Sequence, residues 1–328
     1  MKHAPTILLS GGNGYIGGTT AYALREAGFL PVIIDNFSTS KKGLLKNFNV
    51  IEADLAHLQS IRSHMEALGP ISGIIHFAAR ALVPESFQKP GEYFRNNLIS
   101  TFNLAEVASE LKVPAFVHSS SCAVYGVPEM TPIAESAELA AHSPYGDTKI
   151  LAETLLNRYH QENLLKVLHL RYFNPAGAWP KYGWGESHDP ETHLIPNVVR
   201  AAILNQPVTV FGNRHPTPDG TCIRDFIHVI DLAQAHVLAL QALLSNQALP
   251  LCLNVGTGRG TSVLEVIQVA QEVLGQKISI QMEPARPGDP PILVAEAHQI
   301  DQKLRWIPKR TVREMIEDDW RWRTSIVK

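Results

Sequence analysis

The stretch Thr6-Ile7-Leu8-Leu9-Ser10-Gly11-Gly12-Asn13-Gly14-Tyr15-Ile16-Gly17 decides the fold. An apolar run meets a glycine cluster and then a helical pattern. That order reads as the first strand, phosphate-binding turn and first helix of a dinucleotide-binding unit. Gly12, Gly14 and Gly17 satisfy G-x-G-x-x-G, while Gly11, Gly14 and Gly17 satisfy G-x-x-G-x-x-G. Glycine lets the backbone turn tightly and approach a pyrophosphate. The helix beginning near Tyr15 and Ile16 offers its N–H groups and positive dipole end to the anion. That helix is predicted to stop at Gly28, a C′ glycine. A second apolar run, Pro31 to Ile34, then ends in Asp35. An acid there accepts hydrogen bonds from the adenosine ribose hydroxyls and repels a 2′-phosphate, which favours NAD over NADP. Lys41 and Lys42 are the groups that would pair with a 2′-phosphate if the following loop folded back.

A chain of 328 residues buries a large core. Its net charge of −2 implies neither a nucleic-acid partner nor an anionic membrane surface. Cys122, Cys222 and Cys252 are widely spaced and odd in number, which suggests neither a disulfide framework nor a zinc site. A reducing compartment, and so a cytoplasmic location, is the simplest expectation. No apolar run reaches membrane-spanning length. Met1 to Ser10 fits a buried strand better than a signal peptide.

Short apolar strands alternate with helical patterns through the first half. Candidate strands lie at Asn49 to Glu52, Ile74 to Phe77, Phe116 to His118 and Val167 to Leu170. Helical periodicity covers Leu58 to Leu68, Tyr93 to Leu111 and Pro144 to Asn163. This alternation predicts an α/β fold, a Rossmann-type doubly wound parallel sheet. Chemistry then belongs after the strands, at Asp54, Ala78-Ala79-Arg80, Ser119-Ser120-Ser121 and Tyr172-Phe173-Asn174. Pro175 to Pro190 reads as a long functional loop. Beyond it, Leu194 to Leu204, Leu232 to Leu244 and Val263 to Leu274 read as helices, the last with Ser262 as N-cap and the second with Asp231 as cap. Val208 to Phe211 and Leu251 to Asn254 read as strands. The expected organisation is a dinucleotide-binding domain over 1–175 and a smaller mixed α/β substrate domain over 176–328, with some segments returning to the first and a cleft between the two.

Ser143-Pro144 looks like a helix start, with serine as cap and proline at the first helical position. Tyr145 and Lys149 then stand one turn apart on one face. A phenol with a pKa near 10 is a poor base, but a neighbouring ammonium favours the phenolate. Such a pair takes a proton from an alcohol while hydride leaves the same carbon. Ser121, just past its strand, is placed to donate to the reacting oxygen.

With Gly11-x-x-Gly14-x-x-Gly17 and Tyr145-x-x-x-Lys149, the chain resembles the extended short-chain dehydrogenases/reductases over almost its whole length. Four strings resemble the UDP-glucose 4-epimerase family within them. They are Ser-Ser-Ser-Cys-Ala-Val-Tyr-Gly at 119–126, Ser-Pro-Tyr-Gly-Asp-Thr-Lys at 143–149, Leu-Arg-Tyr-Phe-Asn-Pro-Ala-Gly-Ala at 170–178 and Arg-Asp-Phe-Ile-His-Val at 224–229. The resemblance implies NAD as cofactor, a UDP-hexose as substrate and a homodimer. It implies that Asp35 and Asn36 border the adenosine ribose, and that Asp54 and Leu55 contact the adenine. Phe77, Ala78, Ala79, Ser119 and Tyr172 line the cofactor, and Asn96 and Lys149 its nicotinamide side. Tyr145 is the implied base, assisted by Ser121. Asn174, Arg224 and Arg286 are implied to bind the UDP phosphates, Asp289 the uridine ribose and Phe211 the uracil side. His193 and Leu194 open a substrate-binding helix that in other members starts with Asn at the position of His193. Two arginines suit a diphosphate, because each guanidinium makes paired hydrogen bonds to oxyanions.

Some members carry a lysine after the fourth strand; here Arg80 stands nearby in a different register. Leu293 falls where the family limits room beside the sugar 2-substituent, so N-acetylhexosamine forms stay open. UDP-uronate epimerases also remain open. A 4,6-dehydratase or decarboxylase is disfavoured, because Cys122-Ala123-Val124 holds no acid or base to drive elimination. A non-catalytic NAD-binding regulator is disfavoured by the joint presence of Ser121, Tyr145 and Lys149. His188, Asp189, Glu191 and His193 crowd together, but two prolines nearby and the lack of a helical histidine pair make the spacing unlike a metal motif; no metal is expected. Asp225 is expected to pair with a nearby base, and Trp320 and Trp322 to pack a terminal helix.

Overall fold

A computed structural model describes residues 4–286 and 288–326. The chain opens with β1 (Thr6–Ser10), α1 (Tyr15–Glu26), β2 (Leu30–Asp35), β3 (Asn49–Glu52), α2 (Leu58–Ala67) and β4 (Gly73–His76). It continues with α3 (Val83–Gln88), α4 (Pro90–Glu110), β5 (Phe116–Ser121), a 3-10 turn (Cys122–Tyr125), α5 (Pro144–Gln161) and β6 (Val167–Tyr172). Then come β7 (Asn174–Ala176), β8 (Ala178–Trp179), β9 (Trp184–Gly185), α6 (Leu194–Leu204), β10 (Val208–Phe211), β11 (Ile223–His228) and α7 (Val229–Leu244). The last elements are β12 (Cys252–Val255), β13 (Gly260–Ser262), α8 (Val263–Leu274), β14 (Ile280–Glu283), β15 (Ile292–Leu293), α9 (His298–Leu304) and α10 (Val312–Ile326). They form two compact units. The first holds residues 1–126, 139–171 and 233–253, and the second 127–138, 172–232 and 254–328.

The main sheet has the order β12-β6-β5-β4-β1-β2-β3. β1 pairs in parallel with β2 on one side and β4 on the other. The winding direction therefore reverses between β1 and β4, and the carboxyl ends there form the cofactor crevice of a Rossmann-type fold. β1 and β4 are apolar runs buried almost throughout, as strands covered on both faces require. Leu8, Val32, Ile34, Ile74 and Phe116 pack with Leu104 and Val107 of α4 and Leu156 of α5 in one core. In the second unit Ile195, Val198 and Val199 of α6, Val266 and Ile267 of α8 and Met315 and Ile316 of α10 make another.

Local signals set most helix ends. Ser143 Oγ accepts from Gly146 N at 3.1 Å, with Pro144 in the first turn of α5. Ser262 and Glu265 form a full capping box on α8. Gly28 follows the α1 C-cap with φ +86°.

Five expectations are corrected, the last for one of its two residues. β5 runs through Ser121 instead of ending at His118. α7 begins at Val229, so Asp231 lies in its first turn; its carboxylate accepts from Lys309 N and Arg310 N and pairs with the Arg310 guanidinium. Asp225 pairs with no base among the described residues: its oxygens accept from Thr257 N, Thr257 Oγ1, Gly258 N and Ala295 N. Pro175 to Pro190 is not a plain loop. β7 pairs in parallel with β11, and β8 pairs antiparallel with β9. Strands this short carry too few residues for alternation to register in sequence. Trp322 packs as expected, buried with its indole N–H on Gly183 O, but Trp320 is exposed.

One polar cluster lies inside the first unit. Arg171 on β6 donates from Nε to Glu153 Oε1 at 2.9 Å and from Nη2 to Oε2 at 2.6 Å. Ser120 Oγ donates to the same Oε1 at 2.5 Å, and Arg171 Nη1 reaches Tyr125 Oη at 3.0 Å. All four residues are buried. Removing one member of such a pair strands a charge away from water. Arg171→Met is expected to lower the free energy of unfolding by about 3–5 kcal/mol, measured as a shift of the urea midpoint at unchanged slope; a loss near zero would show that the ion pair contributes no net stability.

Candidate active site

The glycine turn holds its shape by close backbone contact. Gly11 has φ +67°, and a Cβ on it would lie 2.6 Å from Ala78 Cα and N. A Cβ on Gly17 would meet Gly11 O at 2.5 Å. Gly14 differs: a Cβ there would meet only Gly11 O, at 3.4 Å. Internal packing therefore does not demand glycine at 14. What the missing side chain leaves is open space at the start of α1, whose N-cap residue makes no side-chain capping bond. That is the room and the dipole end a pyrophosphate needs.

Around this turn, Asp35 ends β2 half-buried. Its carboxylate accepts from Asn13 N at 3.0 Å and Phe37 N at 2.8 Å. Burial raises its pKa and the two amides oppose that rise. Lys42 pairs with Glu52 at 2.5 Å, out on the surface. Asn36 donates to Asp54 Oδ2 at 3.2 Å, and Asp54 Oδ1 caps the turn at Ala56 N at 2.8 Å, beside buried Leu55. Phe77 N and Ala78 N both donate to Ser10 O, which sets the 77–79 segment at the end of β4 beside the glycine turn. Asn97, not Asn96, is the buried pin: it holds Arg80 N and Arg80 O and donates to Thr148 Oγ1 at 2.9 Å. Asn96 lies half-buried on α4. Arg80 turns its guanidinium to Glu85 and Glu92, which removes it as the stand-in for the family lysine.

The candidate proton-transfer residues lie in the first turns of α5 and at the end of β5. Tyr145 and Lys149 are both buried, and the Lys149 ammonium lies 5.9 Å from the centre of the Tyr145 ring. Lys149 Nζ donates to Ser119 O at 2.8 Å. Burial pushes its pKa down to about 8, against the pull of the Glu153 carboxylate. Ser121 ends β5 and caps the 3-10 turn, its Oγ accepting from Ala123 N at 3.2 Å. Gly146, which sequence reading passed over, makes this crossing possible: a Cβ on it would lie 2.6 Å from Ala123 O. The signal was a glycine in the first turn of a helix, where it costs stability unless something must come close.

In the second unit four of the named residues gather. Arg224 on β11 donates from Nη2 to Asp289 Oδ1 at 2.6 Å. The Arg286 guanidinium stacks 3.9 Å over the Phe211 ring. Asp289 N donates to Arg286 O at 3.3 Å, so one turn carries both. Leu293 pairs with Arg224 in register across β15 and β11. Asn174 donates to Asp225 O at 3.1 Å from β7. Tyr172 ends β6 half-buried. Leu194 starts α6 and packs on the second core. His193 stands apart from the arginines' partners: its ring joins Glu186 and Glu191. Burial disfavours a charged ring there, but the Glu186 carboxylate outweighs it and lifts the His193 pKa to about 10.

Together these features make a candidate nucleotide-cofactor site with a tyrosine–lysine pair in the first unit and an arginine-rich candidate anion site in the second. The chain belongs to the NAD dependent epimerase/dehydratase family, which it matches over residues 7–256. It is 41% identical to the UDP-glucose 4-epimerase of Bacillus subtilis, over 98% of this chain and 97% of that protein. Among solved structures it is similar to a UDP-glucose-4-epimerase from Stenotrophomonas maltophila with bound NAD and formylated UDP-arabinopyranose, at a TM-score of 0.94 and 34% identity, covering 98% and 99% of the two chains. It is likewise similar to the Bifidobacterium longum UDP-glucose 4-epimerase in complex with NAD+ and UDP, at a TM-score of 0.92 and 33% identity over 98% of each chain.

Gly146→Ala tests the crossing. It is expected to cost about 1–3 kcal/mol of stability, as overpacking does, read by thermal unfolding. Gly91→Ala, on α4 with nothing near the added Cβ, is the control and should hold or slightly raise the melting temperature. Equal effects at the two positions would refute a packing role for Gly146.

Proposed function

We propose that the protein interconverts UDP-galactose and UDP-glucose as an NAD-dependent 4-epimerase. The observation that carries this reading is the Tyr145–Lys149 turn of α5 fastened to the serine strand through Ser119 O. The open face of Gly14 and the oriented carboxylate of Asp35 support NAD as the cofactor. Gly11, Gly14, Tyr15, Ile16 and Gly17 would hold its pyrophosphate, Asp35 and Asn36 its adenosine ribose, and Asp54 and Leu55 its adenine. Phe77, Ala78, Ala79, Asn96, Ser119 and Tyr172 would line the remainder. NAD, when bound, supplies two-electron oxidation and then reduction at C4 of the sugar, and is regenerated in each cycle.

The chain's own residues manage the proton. Tyr145 Oη takes it from the sugar 4-hydroxyl and later returns it. The Lys149 ammonium favours the phenolate. Ser121 Oγ donates to the same sugar oxygen. Asn174, Arg224, Arg286, Asp289 and Phe211 would hold the uridine diphosphate, with the His193-Leu194 backbone at the head of α6. Binding energy placed on UDP leaves the hexose free to turn between its two faces.

No described helix is long and apolar enough to cross a membrane. We place the protein in the cytoplasm, as its cysteine usage suggests, and propose that it works as a homodimer. α4 and α5 pack on each other and leave Ile99, Phe102 and Leu151 exposed, an apolar strip suited to a second copy. Sedimentation at micromolar concentration should give twice the chain mass, and Phe102→Glu should shift it toward the monomer; an unchanged wild-type monomer would remove the proposal.

With UDP-galactose and no added reductant, UDP-glucose should accumulate; a keto or unsaturated product would overturn the reading. Tyr145→Phe is expected to lower kcat by about 10²–10⁴-fold while UDP binding holds. Lys149 is an ammonium below about pH 8 and neutral above it, so kcat should fall as pH rises through that value. Lys149→Met should lose this limb; a limb that persists would belong to another group.

A further inference from the structure

The structure assigns a divalent-cation site of the zinc class to Glu186, His188, Glu191 and His193 in the second unit. Sequence spacing argued against a metal here because no two histidines sit a helical turn apart. The fold supplies what the spacing lacks. Glu186 follows β9, His193 caps α6, and the segment between them doubles back so that four ligand atoms lie within 4.8 Å of one another. His188 Nδ1 is 3.0 Å and His193 Nδ1 2.8 Å from Glu186 Oε1. His193 Nδ1 is 3.1 Å from Glu191 Oε1. Metal–ligand bonds of about 2.0–2.2 Å place tetrahedral donors about 3.3–3.6 Å apart. The pairs at 2.8–3.1 Å would open by a few tenths of an ångström and the widest pair, within 4.8 Å, would close toward the same spacing to seat an ion.

Two independent features point to a cation. The first is orphaned oxygen. Glu186 is 1% exposed, and among the described residues its Oε2 and Glu191 Oε2 find no hydrogen-bond donor. A buried carboxylate oxygen without a donor is costly. A proton on His193 answers Oε1 of each acid and the Arg323 guanidinium faces Glu191 Oε2 at 3.8 Å, which leaves Glu186 Oε2 unmet, whereas a metal ion engages a carboxylate through either or both of its oxygens. The second is charge. Asp319 of α10 lies against the same cluster with its Oδ1 also unpartnered, and Arg323 is the guanidinium shared by Asp319 and Glu191. Three carboxylates meet one guanidinium, and the remaining positive charge falls to the His193 ring or to an ion in its place.

The donor set selects the metal. Two imidazole nitrogens and two carboxylates suit zinc and its borderline neighbours, while magnesium and calcium take oxygen donors. The rings of His188 and His193 remain about a third exposed, which gives an entry path. The role is structural. Arg323 Nη2 donates to Glu186 O and Trp322 Nε1 to Gly183 O, so the ion would staple the 183–193 segment and the head of α6 to α10.

The test uses the full chain, stripped with a chelator and dialysed. Addition of Zn²⁺ should bind one ion per chain by elemental analysis after gel filtration and raise the melting temperature. Co²⁺ should give the visible absorption of a low-symmetry nitrogen–oxygen site, and Mg²⁺ and Ca²⁺ should give no thermal shift. His188→Ala, on an exposed loop position, should weaken zinc binding by at least about tenfold, and Glu186→Gln should do the same. Zinc uptake well below one per chain, or uptake unchanged in both variants, would overturn the assignment and leave Arg323 and the His193 ring as the groups that answer the carboxylates.

Discussion

The bidentate ion pair between Arg171 and Glu153 governs where the helix turn carrying Tyr145 and Lys149 is held. It joins β6 to α5 inside a region closed to water, and Ser120 and Tyr125 complete its hydrogen bonds. Burying two charges is expensive, and the arrangement is stable only because the guanidinium fork and the carboxylate satisfy each other. Its consequences run along the helix. Glu153 stands one turn after Lys149, so fixing one fixes the reach of the other. Glu153 also supplies the negative potential that opposes the desolvation of the Lys149 ammonium. Lys149 then spans to Ser119 O, and Tyr145 is placed one turn back. The reactive phenol is thus held by structure on both sides: a buried ion pair behind it and a glycine-permitted contact at Gly146 in front.

What sequence revealed, it revealed because the signal was local. The turn from β1 into α1 is a contiguous string whose glycines act on their own neighbours. The cap at Ser143 and the Tyr145–Lys149 spacing depend only on helix geometry, and so does the capping box at Ser262. The alternation of strands and helices needed nothing beyond periodicity, and the parallel sheet followed. The site residues the structure reveals anew are those whose partners are distant in sequence. Asn97 meets Arg80 and Thr148 across 17 and 51 residues. Asp231 reads as a helix cap because an acid before an apolar run usually is one, yet its partners lie 78 and 79 residues away. Asp225 was assigned a base because carboxylates usually have one. For this residue within β11 the amides of Thr257, Gly258 and Ala295 serve instead, and burial raises its pKa against them.

The two arginines of the second unit show the same economy in a different form. Neither guanidinium is without a partner, although Arg286 is exposed. Arg224 is held by Asp289 and Arg286 lies flat on Phe211, both anchored by the turn at 286–289. A guanidinium restrained in this way has already lost its rotamer freedom, so an incoming diphosphate need not supply that ordering. The carboxylate of Asp289 also keeps the pair nearly neutral until an anion arrives. A ribose hydroxyl and a phosphate could then divide the two partners between them. On the proposed reading the site would favour a nucleotide over a free phosphate: an anion alone competes with Asp289, while a nucleotide gives Asp289 a donor in exchange.

The histidine–glutamate cluster marks the limit of motif reading. Metal patterns in sequence are recognisable when a helix or a short knuckle sets the ligand spacing. Here the spacing is set by a reversal of the chain between β9 and α6, and by α10 folding back with Asp319 and Arg323 from more than a hundred residues later. Nothing in the intervening sequence encodes that return. The same physics that hid the cluster makes it informative. Burying Glu186, Glu191 and Asp319 together is unfavourable without compensating cations, so a fold that gathers them must also bring the charge to balance them. Arg323 is one such charge, and the two imidazoles face the space where the rest is required.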